Sequence, residues 1–199
     1  MIPTFEVVPS QPVNPEQLIG SLTVQEWEEG WDGNRAYGCI CRYDWDEAND
    51  QLRYESIVLR QADAGSSKHE EFEAFLEELD VPHEYFTAMD VGVAGLVLAL
   101  TCAGLRTSSS CRGHVRDGQP AVRAAATPAH VAYLQPLALE SGCTVVPENG
   151  QIVILAPDVL RLVALGKAIV DDRAVAGELG YLEVTGDLED DQYYKQESP

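Results

Sequence analysis

Between Arg106 and Arg123 the chain reads RTSSSCRGHVRDGQPAVR, and most of these side chains can do chemistry. Arg106, Arg112, Arg116 and Arg123 place four guanidiniums within eighteen residues. Arginine's planar fork matches carboxylate and phosphate oxygens in pairs. Ser108, Ser109 and Ser110 add hydroxyls that donate or accept. Gly113 permits a positive-φ turn in which successive backbone amides converge on an anion. These residues together read as a serine-rich turn that binds an anion or a nucleotide-like small molecule. Cys111 and His114 are the candidate catalytic pair, since a thiol beside guanidiniums and an imidazole loses its proton more readily and attacks as thiolate. The sequence identifies no acid that orients His114; Asp117 and Asp90 are the conceivable ones. Cys111 and His114 also have the C-x-x-H spacing of half a zinc site. The other half would have to come from Cys102, Cys143 and His130, which are scattered, so no metal is assigned. His130, in the first turn of a helix, reads as a surface or interface histidine. No G-x-S-x-G elbow is present. Ordinary turn chemistry accounts for serine and glycine equally well, so the residue types alone leave open whether the protein is an enzyme.

The elements that must position this stretch lie on either side of it. DVGVAGLVLALTCAG reads as a helix capped by Asp90, apolar nearly all round and therefore buried, and ended by Gly104. RTSSS begins a strand and AVRAAA is a second. Thr127 and Pro128 open a helix that stops at Gly142, with Pro136 expected to kink or divide it. Asn149-Gly150 between β-rich runs is a hairpin signal, and PDVLRLVALGKAIVDD is a further helix. The stretches AVRAAATPAHVAYL and QIVILAPDVLRLVAL echo each other as strand, proline, helix. Hairpins with helices between them predict an α+β fold, a two-layer sandwich of mainly antiparallel sheet and helices over residues 89–175.

A smaller β-hairpin-plus-helix unit is expected before it. Asn14-Pro15 and Thr23–Glu26 carry helix-start signatures. Tyr37, Cys39, Cys41, Tyr43 and Trp45 alternate with other residues as on one face of a strand; DEAND reads as a turn and QLRYESIVLR as the returning strand. Cys39 and Cys41 read as core packing. Ser67 and Glu70 make a capping box for an amphipathic helix whose other face is acidic. The expected organisation is an acidic unit over 1–88, an α+β domain over 89–180, and a mobile acidic tail over 181–199.

The net charge is −20, and it is unevenly spread. Residues 1–88 carry 19 acidic and 5 basic side chains, residues 89–180 carry 8 and 7, and the last nineteen carry 6 and 1. Such a field repels phosphate backbones, so general nucleic-acid binding is disfavoured outside a local basic patch. The same field suits a basic protein partner docked through residues 1–88, with Trp27 and Trp31, as for an immunity, inhibitor or regulatory protein. No secretory leader is visible, and the run Val91–Ala103 is too short to span a bilayer. Five cysteines without paired spacing suit a reducing compartment. The expectation is a cytoplasmic protein without membrane contact.

Thr107–His114, TSSSCRGH, resembles the TTSSCSGR signature of the tRNA-modifying methyltransferases of wybutosine synthesis. Thr107, Ser109, Ser110, Cys111 and Gly113 match it; Ser108, Arg112 and His114 differ, His114 standing where the signature has arginine. The segment is also similar to SCxGH segments of small uncharacterised bacterial and phage proteins. The likeness covers these eight residues in detail and residues 89–170 in pattern. It implies a small α+β fold and S-adenosylmethionine as cofactor. With the arginine replaced, it bears on fold and site position more than on methyl transfer. Three functions follow in order: an anion- or nucleotide-binding domain, a non-enzymatic acidic interaction protein, and a methyltransferase-like enzyme.

Overall fold

Helix capping organises the first third of the chain. Asn14 Oδ1 accepts from the Glu16 amide (3.1 Å) and starts a short 3-10 turn, Pro15–Gln17. After β1 (Ser21–Thr23), reciprocal bonds between Thr23 and Glu26 open α1 (Val24–Glu29). The structure, a computed structural model, describes residues 1–29, 43–78, 89–113 and 118–185. Most of the expected strand Tyr37–Trp45, with Cys39 and Cys41, lies outside the described residues, as does Trp31.

The returning strand is corrected. Gln51–Arg60 forms the middle of α2, a 21-residue helix running Trp45–Gly65. Asp44 caps it, accepting from the Asp46 and Glu47 amides at 2.9 Å, while Glu47 accepts from the Asp44 amide at 2.8 Å. DEAND is therefore the first part of a helix, not a turn, and the smaller unit has no hairpin there. α3 (His69–Glu78) follows, with the Ser67 amide and hydroxyl held by Glu71 in place of the expected Glu70. α4 (Ala94–Cys102) is buried at every residue, as its composition predicts. It starts after a turn, Val91–Val93, and Asp90 does not cap it; the Asp90 side chain is used elsewhere.

The stretch Arg106–Cys111 is strand β2, paired antiparallel with β3 (Ala121–Ala125) through a bulge between Thr107 and Ser109. α5 (Pro128–Ser141) runs undivided through Pro136. β4 (Thr144–Glu148) and β5 (Gln151–Leu155) make the expected hairpin: Asn149 and Gly150 take φ of 51° and 81°, and Glu148 pairs with Gln151 across the two-residue loop. β3 also pairs antiparallel with β5, which gives a four-stranded sheet of order β2-β3-β5-β4. α6 (Val159–Asp171), capped by Asp158, and the short α7 (Arg173–Ala176) follow.

This is the α+β architecture the sequence predicts. Val122, Ala124, Val145, Ile152 and Ile154 form the sheet's inner face and join α4, α5 and α6 in one core. α2 lies on α4 and α6 and adds Leu52, Leu59 and Ala62 to that core, so residues on both sides of position 88 share it. The N-terminal segment runs along the β4 edge, where the Gln11 amide meets the Val145 carbonyl and the Val145 amide meets Ser10 Oγ, covering groups that would otherwise invite pairing. β6 (Glu183–Thr185) pairs in parallel with β1, and Leu22 and Leu182 close over Ala125. The first residues of the expected mobile tail are thus part of a sheet; residues 186–199 lie outside the described residues. No helix among the described residues is long and apolar enough to cross a membrane.

Candidate functional site

Strand register sorts the candidate residues by face. The serines do not form a turn, as expected from sequence, but lie in β2, where their backbone groups belong to the sheet ladder and do not converge on one point. Side chains directly opposite on paired strands share a face. Ser110 stands opposite Val122, and Thr107 opposite Ala124, both on the inner face. Ser109 stands opposite Arg123, and Cys111 opposite Ala121, both on the outer face. At the bulge, Ser108 is buried and donates to Gln151 Oε1 at 2.7 Å.

The four arginines separate accordingly. Arg106 is buried at 1% exposure, opposite Ala125 where Leu22 and Leu182 cover the sheet. Arg112, just past the end of β2, is 8% exposed; its guanidinium faces Asp90 at 3.7 Å and its amide donates to the same carboxylate at 3.2 Å. Arg123 is half exposed and pairs with Glu148 at 2.9 Å. Arg116, with His114 and Asp117, lies outside the described residues. Gly113 takes φ of 83°, and a Cβ there would lie 2.6 Å from Pro120, so only glycine fits this corner. Its amide donates to Cys111 Sγ at 3.4 Å.

What the fold does bring together is the outer face. Ala121 and Arg123 of β3, Val146, Pro147 and Glu148 of β4, and Val153 and Leu155 of β5 line a shallow groove of roughly 350 Å³, walled by Val8 and Gln11 of the N-terminal segment. Cys111 and Ser109 border it from β2, one strand further out. The groove thus offers apolar side chains of Val146, Val153 and Leu155 and one half-exposed guanidinium, with Ser109 and Cys111 on the neighbouring strand.

Cys102, Cys143 and His130, which half a zinc site at Cys111 and His114 would have needed, are held in the core. Burial pushes the Cys102 and Cys143 thiols up to about 12, which keeps them protonated and inert. His130 is fully buried, not at a surface: Nδ1 faces the Thr127 amide and hydroxyl, and Nε2 the Gly180 carbonyl, each at 3.0 Å. Sequence reasoning missed Glu148, Val146, Val153 and Leu155 as neighbours of Arg123. Their alternation along QIVIL and TVVPE carries the signal, but only the register aligns it with β3.

The fold is that of an α+β protein whose four-stranded antiparallel sheet is covered by helices on one face and carries a shallow groove on the other. Comparison with protein families, curated proteins and solved structures finds no match to this chain.

Proposed function

We propose that this protein binds a small amphiphilic anion of the nucleotide kind on the outer face of its sheet, with Arg123 as the charged contact. The supporting observation is the groove itself, in which an apolar floor of Val146, Val153 and Leu155 lies beside one exposed guanidinium. A flat apolar body would lie on that floor, and its anionic group would replace Glu148 at Arg123. The exchange costs little, because Arg123 and Glu148 are 51% and 42% exposed and such surface pairs stabilise by about 0–1 kcal/mol. Ser109 stands opposite Arg123 on the adjacent strand. Calorimetric titration of the full chain with nucleoside phosphates and S-adenosylmethionine tests the reading. Arg123→Ala should weaken binding at least tenfold while leaving stability near wild type. Arg112→Ala should keep binding but destabilise, because it removes the buried guanidinium that faces Asp90. Silence across the panel, or unchanged affinity in Arg123→Ala, overturns the reading.

A second reading is a docking protein for a basic partner. It is favoured by the exposed carboxylates of Asp46, Asp50 and Asp63 on α2 and Glu70 and Glu71 on α3. Steered association of that kind weakens as salt rises. A partner recovered by pull-down whose affinity is the same at low and high salt would count against it.

A further inference from the structure

In α5, composition and surroundings disagree. Glu140 is the only Asp, Glu, Lys or Arg among its 14 residues, although these types make up 23% of the chain. A helix apolar on nearly every side is ordinarily buried on every side, and α4, of the same kind, is buried at every residue. α5 is not. Its inner side, with Val131, Leu134 and Ala138, packs toward α6 and β4. α2 lies over α4 and α6, and the outward side of α5 stays open.

That open side is an apolar stripe. Ala129, Ala132, Pro136 and Leu139 are exposed and stand at i, i+3, i+7 and i+10, with Pro128 at the amino-terminal end. Leu139 is 73% exposed, more than any other large apolar side chain among the described residues. The stripe is graded, with small Ala129 and Ala132 in its first half and bulky Leu139 in the last turn. Such a surface complements a second copy of itself when the two helices run antiparallel, because the bulky end of each then lies over the small end of the other. The same arrangement brings Glu140 of each copy to the amino-terminal turn of the other helix, where the helix dipole favours a carboxylate. A parallel pair would set Leu139 on Leu139 and Glu140 beside Glu140. Charge also narrows the choice of occupant. Two molecules of net charge −20 repel, and they meet at least cost where neither brings charge to the contact. A basic partner, by contrast, would find no row of carboxylates here to pair with.

We propose that the outward stripe of α5 is a self-association surface, through which two copies of this chain pair as an antiparallel, two-fold symmetric dimer. The stripe lies on the helical side of the sheet and the groove on the other, so this pairing does not depend on any ligand. One helix pair is a small contact beside the roughly 1,600 Å² of a standard interface. The dimer is accordingly weak, with a dissociation constant on the order of 1–100 μM.

Sedimentation equilibrium of the full chain from about 1 μM to about 1 mM brackets that range. A monomer–dimer equilibrium is expected, and it should tighten between about 50 mM and about 500 mM salt as repulsion between like-charged copies is screened. Docking of a basic partner would weaken over the same range. Leu139→Glu should weaken the dimer at least about tenfold, since it sets a carboxylate against an apolar surface. Its unfolding in denaturant should stay near wild type, because the position is exposed. Ala132 lies near the two-fold axis, close to its own counterpart. Ala132→Glu and Ala132→Lys should therefore each be monomeric alone and associate when mixed. A chain that is monomeric throughout overturns the proposal and leaves the stripe to a different protein. A dimer untouched by Leu139→Glu places the contact elsewhere and overturns it equally, and charge variants that stay apart when mixed overturn the two-fold arrangement.

Discussion

His130 joins segments that are far apart in sequence. Its Nδ1 accepts from the Thr127 amide, so the hydrogen-bond pattern places the ring proton on Nε2, which donates to the Gly180 carbonyl. Burial holds the imidazole below its ordinary 6.5, against the upward pull of the Gly180 and Ala103 carbonyls. The neutral ring's contribution is complete above 6.5 and is lost as pH falls through the lower folded value. The His130 contribution should therefore shrink between pH 7 and 5. His130→Asn should be less stable than the wild type at pH 7, and that deficit should narrow by pH 5, as denaturant titrations at each pH would show; a constant deficit would remove His130 from the explanation. Buried Glu55, pushed up to about 7, acts with opposite sign over this range and cancels in the comparison. The Thr127-Pro128 signature located His130 on its helix correctly. It could not reveal Gly180, fifty residues on, which turns a first-turn histidine into a buried one.

At the scale of elements, α2 shows why local pattern misleads. Its buried face includes Gln51, Glu55 and Ser56 beside Ala48, Leu52, Val58, Leu59 and Ala62. Three polar residues on the inner stripe hide its helical period, and the β-branched residues in ESIVL then suggest a strand. The capping residues Asp44 and Glu47 carried the contrary signal. By contrast, α4, the Asn149-Gly150 hairpin and the cap at Thr127 were legible, because each depends on residues within one or two turns of chain. The face of β2 on which each serine sits was not, since a bulge sets it. Leu52 is the packing residue of this helical tier: it fills the space left by Gly95 of α4 and Gly166 of α6. Leu52→Ala should cost about 2–5 kcal/mol in chemical denaturation. A loss below about 1 kcal/mol would mean that the three helices close over the gap.

For the whole molecule, the charge asymmetry read from sequence takes on a spatial meaning. The arginines that seemed to offset the acidity locally are spent inside or beside carboxylates: Arg106 is buried, Arg112 faces Asp90, and Arg123 faces Glu148. Of the described arginines in that stretch, Arg123 is the half-exposed one, while Arg106 and Arg112 are buried. The fold also draws its distant ends together, since β1 and β6 pair in parallel and Thr185 Oγ1 donates to the Leu22 carbonyl across 163 residues. Such a pairing bears a large loop-closure entropy until the rest of the chain has condensed. During synthesis β1 waits unpaired while nearly everything after it is made, and Ala125 keeps an uncovered apolar patch until β6 arrives. The clasp is thus the last of the described elements to assemble, and a nascent chain halted before Leu182 would expose the surface that chaperones recognise.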